Sequence, residues 1–160
     1  MKPVCLVLGA GAGIGGTVAA KFASEGYHSC LCRRSDQEGL DRLVKGIEDE
    51  GGSANGYLIN AIEDNVIEDL INTIESDIGP IDVVVYNLGA QTGMKLLKDT
   101  THKEFEWGWR MASLGLFRVA KMLCPIMKER GKGTILVTSA TAAMRGNATQ
   151  HSHAAAMGAR

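Results

Sequence analysis

The sequence predicts an α/β fold, a doubly wound parallel sheet with helices on both faces, in a single domain over residues 1–160. Strand patterns alternate with helix patterns and no hairpin turn joins two strands, which is typical of right-handed βαβ units. The first predicted strand, Pro3 to Leu8, is an uninterrupted apolar run, as expected for a strand that is covered on both faces. Five glycines between Gly9 and Gly16 then separate that strand from a helix.

The N-terminal half continues with two more strands and three helices. Ile14, Val18 and Phe22 recur every four residues, which places them on one face of a helix that ends near Gly26. The i, i+3, i+4, i+7 spacing of apolar residues predicts two further amphipathic helices. The predicted order after the first helix is a strand at His28–Cys32, a helix at Gln37–Glu50, a weaker strand at Ala54–Ile59, and a helix from about Ile67 to the stop signal Gly79-Pro80.

The C-terminal half contains two strands and two helices by the same criteria. Asp82 to Tyr86 is an apolar strand, and Thr134 to Thr138 is a β-branched fifth strand. Between them, Thr101-His102-Lys103-Glu104 has the form of a capping box that opens a long helix towards Arg130, with a kink expected at Pro125. His151 to Arg160 has the pattern of the first turns of another helix.

Charge and composition exclude several classes of function. With 17 basic and 18 acidic side chains, the net charge is −1, so the chain lacks the basic field that nucleic acid requires. The uncharged run from Pro3 to Ala20 is interrupted by glycine after six apolar residues, and we therefore expect neither a targeting segment nor a membrane span.

The four cysteines, Cys5, Cys30, Cys32 and Cys124, form no CxxC pair and have no histidines at zinc-ligand spacing. We expect reduced and mostly buried thiols, no metal site, and a cytoplasmic location.

The glycine-rich segment predicts a Rossmann-type dinucleotide site. Gly11 to Gly16 fits the pattern GxGxxG, but we prefer the register Gly9-x-x-x-Gly13-x-Gly15, because it begins directly after the strand. At such a corner, backbone N–H groups and the helix dipole favour a pyrophosphate. We therefore assign Gly9, Gly13, Ile14 and Gly15 to cofactor binding, with a tight turn that binds no ligand as the alternative.

Two arginines end the second strand, where a dinucleotide fold reads the adenosine ribose. An acidic residue there hydrogen-bonds a free 2′-hydroxyl, whereas an arginine pairs with a 2′-phosphate. Arg33 and Arg34 therefore favour NADP(H) over NAD(H), and Asp36 lies slightly too far along the chain for the NAD role. The alternative is that both arginines belong to a solvated surface.

Together these motifs resemble the short-chain dehydrogenase/reductase family over the whole chain. Gly9, Gly13 and Gly15 match its glycine motif, residues 82–89 match its Asn-Asn-Ala-Gly strand end, and residues 133–143 match its fifth strand. The resemblance implies the strand order 3-2-1-4-5, with Asn87 and Gly89 beside the glycine loop. It also places Asn60 where the family commonly has an aspartate that reads adenine.

The resemblance implies hydride transfer between a nicotinamide and a carbonyl or alcohol. The family performs it with a Tyr-x-x-x-Lys pair, a serine and an asparagine, whose positions fall, without gaps, on His153, Met157, Ala140 and Ala112. A shift of one residue aligns Ser139 and Ser152 but leaves an alanine at the lysine position. The family's catalytic pair is therefore missing in either register.

His153 is the predicted substitute acid/base, because an imidazole with an unperturbed pKa of about 6.5 exchanges protons near neutrality without help from a lysine. A structural histidine in a non-catalytic dinucleotide-binding protein, a sensor or scaffold, is the competing hypothesis. A metal site at His151-Ser152-His153 is disfavoured because i, i+2 side chains diverge on a helix. A serine hydrolase is disfavoured because the chain lacks GxSxG.

Family members normally continue through the last helix and two further strands, which carry much of the substrate pocket. We therefore expect either a fragment or a shortened protein whose fifth strand is an exposed sheet edge. The resemblance also implies that the long helix pairs across a homodimer or homotetramer. The substrate is a small molecule that the sequence does not identify.

Overall fold

The computed structural model describes residues 2–89 and 94–160. Within those residues, five strands form one parallel sheet in the order β3-β2-β1-β4-β5, which confirms the predicted fold class and strand order. The strands are β1 (Val4–Leu8), β2 (His28–Arg33), β3 (Ser53–Leu58), β4 (Ile81–Tyr86) and β5 (Thr134–Val137). The helices are α1 (Ile14–Ser24), α2 (Gln37–Asp49), α3 (Val66–Asp77), α4 (His102–Trp109), α5 (Gly115–Arg130) and α6 (His151–Gly158).

The sheet separates two apolar layers, because successive side chains of a strand point to opposite faces. Cys5 and Val7 of β1 belong to the core that includes residues of α1 and α2. Val4, Leu6 and Leu8 of the same strand belong to the core that includes residues of α3 and α5. The continuous apolar run of β1 is thus explained by burial on both faces, and the result is a three-layer sandwich.

The buried face of α1 differs from the one that the apolar spacing suggested. Ile14 is 63% exposed and Val18 and Phe22 are only partly buried, whereas Gly15, Gly16, Ala19 and Ala23 face the sheet. A Cβ on Gly15 would overlap the carbonyl oxygen of Gly9. The helix begins so close to the end of β1 that only small residues fit between them, and hydrophobic spacing does not record this requirement.

The predicted long helix is interrupted where β4 meets it. A π-helical segment, Arg110–Leu114, lies between α4 and α5. The Tyr86 hydroxyl donates a hydrogen bond to the carbonyl of Met111 in this segment, and a Cβ on Gly115 would overlap that hydroxyl. Residues 102–130 are therefore helical as predicted, but with an extra residue in one turn beside Tyr86. Pro125 lies inside α5, and the kink predicted there stays a prediction.

The strand order reverses on either side of β1, because β1 pairs with β2 on one side and with β4 on the other. In a doubly wound sheet, such a reversal opens a crevice at the carboxyl ends of the strands. Asn60, Asn87 and Thr138 follow the carboxyl ends of β3, β4 and β5 respectively, so polar groups collect at this edge. No helix in the described residues is long and apolar enough to span a bilayer.

Candidate functional site

The glycine turn between β1 and α1 is held by backbone contacts to both neighbouring strands. Gly9 has a φ of +96°, in the left-handed region, and both its N–H and that of Ala10 donate to the carbonyl of Cys32, at 2.9 and 2.8 Å. A Cβ on Gly9 would lie 2.9 Å from the carbonyl oxygen of Asn87. A side chain at Gly9 is thus excluded by packing.

The start of α1 is left open by the same turn. Its N-cap residue, Gly13, provides no side-chain cap, and a Cβ on Gly13 would meet nothing within 4 Å. Ile14, the first residue of α1, has a side chain directed largely to solvent. Backbone N–H groups at an uncapped helix start are suited to an anionic group.

Asn87 links the glycine turn to the ends of β4 and β5. Its Nδ2 donates to the carbonyl of Gly9 at 2.9 Å, and its Oδ1 accepts from Thr138 Oγ1 at 2.9 Å. Both ends of the amide are therefore engaged within the protein. The residue positions the turn, and Gly89 follows it at the edge of the crevice.

A small pocket lies beside the turn at the carboxyl ends of β1, β2 and β3. Its lining includes Gly9, Arg33, Arg34, Ile59, Asn60 and Met111. Asn60 Nδ2 donates to Glu63 Oε1 at 2.8 Å, while Asn60 Oδ1 is buried with no hydrogen-bond partner among residues 2–89 and 94–160. Such a buried acceptor without a partner is suited to a hydrogen-bond donor such as an amino group.

The two arginines at the end of β2 have different surroundings. Arg33 forms an ion pair with Asp36 at 2.9 Å, and its side chain is 20% exposed. Asp36 has a φ of 70° and caps α2 by accepting from the N–H of Gly39 at 2.9 Å. Arg34 is exposed, makes no ion pair within the described part of the chain, and lies 5.8 Å from the centroid of the Trp107 ring. Arg34 is therefore the guanidinium available to a ligand.

The positions at which the family has its asparagine, serine and lysine come together, but as an apolar cluster. Ala112, Ala156 and Met157 are buried in one group, and Ala140 and Ala143 pack against it. Ser113 Oγ donates to the carbonyl of Ala156 at 2.8 Å and fixes α6 to the π-helical segment. The structure thus brings these positions together without giving them polar side chains. Ser139, which the shifted register aligned, is exposed beyond β5.

The two histidines of α6 differ in their contacts. His153 lies in the first turn of α6 and is half-buried. His151 Nε2 lies 2.7 Å from Thr100 Oγ1, so His151 ties α6 to the segment that precedes α4. No group of three or more potential metal ligands occurs in the described ranges, 2–89 and 94–160.

Arg160 is a charged group at the crevice that sequence reasoning missed. Its guanidinium donates to the carbonyl of Thr138 and lies 5.6 Å from the centroid of the Tyr86 ring. Burial lowers the pKa of the guanidinium, and the neighbouring Tyr86 opposes that shift. Trp107 was also missed as a partner of Arg34. Neither contact has a signal in local spacing, because each joins elements distant in sequence.

Comparison with known proteins is consistent with this geometry. The family model for short chain dehydrogenases matches residues 3–159. The chain is 31% identical over 154 residues to the 3-oxoacyl-(acyl-carrier-protein) reductase FabG of Thermotoga maritima, covering 95% of this chain and 61% of that protein. It is 26% identical over 140 residues to the 2,3-dihydro-2,3-dihydroxybenzoate dehydrogenase of Bacillus subtilis, covering 88% of this chain and 53% of that protein.

Two solved structures are similar along almost the whole chain. One is an actinorhodin polyketide ketoreductase variant with NADPH, which superimposes with a TM-score of 0.90 at 28% identity and covers 99% of this chain. The other is a 7α-hydroxysteroid dehydrogenase complexed with NADH and 7-oxo glycochenodeoxycholic acid, with a TM-score of 0.90 at 25% identity and 98% coverage. This chain spans 60% of the length of each.

Proposed function

This chain belongs to the short-chain dehydrogenase family, and from that premise we propose that it is an NADP(H)-dependent oxidoreductase acting on a carbonyl or alcohol through a non-standard active site. The observation that carries the proposal is the pocket that joins the glycine turn, the orphaned Asn60 Oδ1 and Arg34. A backbone anion site, an amide acceptor and a guanidinium match the pyrophosphate, the adenine amino group and the 2′-phosphate of NADP(H).

Each part of the cofactor has a residue that fits it. Gly9 and Gly15 pack so closely against neighbouring backbone that they hold the turn against β1, while the space beside Gly11 and Gly13 is open to the pyrophosphate at the start of α1. Asn60 Oδ1 accepts from adenine, and Arg34 pairs with the 2′-phosphate. Arg33 supports this arrangement indirectly, because its ion pair with Asp36 fixes the loop that follows β2.

Arg34→Ala tests the cofactor choice. A charge-assisted hydrogen bond contributes about 1.5–3 kcal/mol, so we expect the variant to bind NADPH at least about tenfold more weakly and NADH unchanged. Isothermal titration calorimetry measures both affinities. Arg42→Ala on α2, which removes another exposed arginine from the neighbouring helix, is the matched control. Equal losses for NADPH and NADH would contradict a 2′-phosphate contact by Arg34.

The chemistry proposed for the site is proton exchange by His153 beside a bound nicotinamide. When bound, the cofactor supplies or accepts the hydride. His153 donates a proton to the substrate oxygen during carbonyl reduction and takes one back during alcohol oxidation. Asn87 keeps the glycine turn and the end of β4 in register, and Arg160 supplies a fixed positive charge near Thr138.

His153→Phe tests this assignment. General acid/base catalysis contributes about 10²–10⁴-fold, so we expect NADPH-dependent reduction of any responsive carbonyl to fall at least about 100-fold. Affinity for NADPH is expected to stay within about twofold, because the histidine lies in α6, outside the adenosine pocket. His28→Phe, at the amino end of β2, is the matched control. Unchanged turnover in His153→Phe would exclude the histidine from the chemistry.

One observation favours a second candidate function, a non-catalytic sensor or scaffold that binds the dinucleotide. The positions of the family's asparagine and lysine are filled by buried Ala112 and Met157, which carry no proton-transfer group. A panel of ketones and aldehydes separates the two functions. Oxidation of NADPH with any of them supports the enzyme, whereas tight NADPH binding without turnover across the panel supports the sensor.

We also propose a cytoplasmic location. The four cysteines are free, and burial raises the pKa of the Cys5 and Cys30 thiols to about 12. Buried thiols with so high a pKa are unreactive and need no oxidising compartment.

A further inference from the structure

We infer that Trp107 is a positioning residue for Arg34 and thereby sets how strongly the protein distinguishes NADP(H) from NAD(H). The inference rests on the proposed function, because it concerns how the 2′-phosphate of the cofactor is recognised. It starts from the contact between two side chains on separate elements, the end of β2 and the last turn of α4.

Arg34 has few other constraints in the described structure. It follows β2, it is exposed, and its neighbour Arg33 already occupies the carboxylate of Asp36. A free arginine side chain has many rotamers, and ordering it on a phosphate is entropically unfavourable. The Trp107 ring, 5.8 Å from the guanidinium carbon, holds that side chain in place before a ligand arrives.

The contact of Trp107 with Arg34 lies near the pocket. Met111, in the π-helical segment that follows α4, lines the pocket together with Asn60 and Arg34. Trp107 is half-buried, whereas Trp109, two residues further on, is 43% exposed. Arg34 therefore both lines the pocket and contacts the Trp107 ring, so that it connects the ring to the site of the ligand.

The contact of Arg34 with Trp107 and its contact with the 2′-phosphate do not exclude each other, because they use different properties of the guanidinium. A cation–π contact acts through the charge of the guanidinium, whereas a phosphate accepts hydrogen bonds from its N–H groups. Arg34 can therefore bind the 2′-phosphate while it stays in contact with Trp107. The contribution of Trp107 therefore passes through Arg34 and disappears when Arg34 is absent.

A double-mutant cycle measured by calorimetry tests the inference with two probes, 2′,5′-ADP and 5′-ADP. We expect Trp107→Leu to weaken 2′,5′-ADP by about two- to fivefold, the factor that corresponds to an exposed cation–π contact, and to leave 5′-ADP unchanged. Arg34→Ala weakens 2′,5′-ADP more, by at least about tenfold. The double variant is expected to match Arg34→Ala alone, because only residues in contact show such non-additivity.

Control variants separate positioning from folding. Trp107→Phe keeps a ring and is expected to recover most of the affinity for 2′,5′-ADP, and Trp109→Leu removes the exposed neighbouring ring without effect on either probe. Losses that multiply in the double variant, or equal losses for both probes in Trp107→Leu, would overturn the inference. If the unmodified protein binds neither probe, it is the proposed function that fails.

Discussion

At the residue scale, Gly15 is the position where a single methyl group has the largest predicted effect. Its Cβ would overlap the carbonyl oxygen of Gly9 and lie 2.9 Å from the Cα of Ala10, so α1 would have to move away from the end of β1. We expect Gly15→Ala to lower the free energy of unfolding by about 1–3 kcal/mol, the range for overpacking, and to abolish binding of NADPH. Urea denaturation and calorimetry measure the two effects.

Gly11→Ala is the matched control for that prediction. The same loop contributes the residue, its φ is not positive, and a Cβ there would meet nothing within 4 Å. Its free energy of unfolding is expected to change by less than about 0.5 kcal/mol. If Gly15→Ala is as stable as Gly11→Ala, the contact between α1 and the end of β1 can accommodate a methyl group, and the prediction is contradicted.

The arginines show how far a sequence determines a site at this scale. The sequence placed two guanidinium groups at the end of the second strand, and the structure has both there. The sequence could not show which arginine is available to a ligand, because that depends on Asp36. Asp36 adopts the left-handed conformation, caps α2 and forms an ion pair with Arg33. Such a turn is a tertiary outcome, and so is the contact of Arg34 with Trp107.

At the scale of elements, the start of α4 is expected to make the free energy of unfolding depend on pH in the acidic range. The capping box predicted from Thr101 and Glu104 is present, with each side chain bonded to the other residue's N–H. A hydrogen bond from Lys95, followed by those from Thr101, lowers the pKa of Glu104 to about 2. Since an unfolded glutamate titrates near 4.3, this contribution is complete above about pH 4.3 and is lost as the pH falls through about 2.

Glu104→Gln is expected to remove that pH dependence while keeping a side chain that suits the third position of a capping box. The difference in free energy of unfolding between the unmodified protein and the variant should therefore shrink from pH 5 to pH 2 in urea titrations. Glu106→Gln makes the same charge change on the same helix and is the control. A difference that stays constant over this range would mean that Glu104 is not held by Lys95 and Thr101.

The sequence predicted the positions of helices and strands better than it predicted which of their residues are buried. Within the described residues, alternation, glycine stops and the capping box located the five strands and the α-helices within a few residues, with α4 and α5 predicted as one helix, because these signals are local. The buried face of α1 was not predicted, because close approach to β1 selects Gly15 and Ala19 for it and leaves Ile14 exposed. The π-helical segment was also missed, because it depends on a contact with Tyr86. The Tyr86 hydroxyl donates a hydrogen bond to the carbonyl of Met111, 25 residues away in the chain.

At the scale of the whole molecule, the βαβ pattern predicted a doubly wound parallel sheet and the family resemblance implied its strand order, and the structure confirms both. The resemblance also assigned the family's asparagine, serine and lysine positions to Ala112, Ala140 and Met157, which lie in one cluster. The position of Arg160 could not be found in the same way. Arg160 reaches the crevice by crossing from α6 to Tyr86, and no family motif marks that position.

The outer surface of α4 and α5 leads to a prediction about assembly. Phe105, Trp109 and Phe117 are 44%, 43% and 60% exposed, although large aromatic side chains are normally covered. We predict that this surface pairs two copies of the chain, as the resemblance implies for the long helix. Because aromatic residues at the centre of an interface contribute most of its affinity, Phe117→Lys is expected to shift the protein from dimer or tetramer towards monomer in sedimentation velocity.

Leu58→Lys is the control, because it places the same charge on an exposed apolar residue at the opposite edge of the sheet, on β3. It should leave the sedimentation coefficient unchanged. Loss of assembly in both variants would point to the sheet edges, where β3 and β5 have unpaired backbone groups within the described chain, in place of the helices. If the unmodified protein sediments as a monomer, that result would contradict pairing through α4 and α5. The exposure of the three aromatic side chains would then need another explanation.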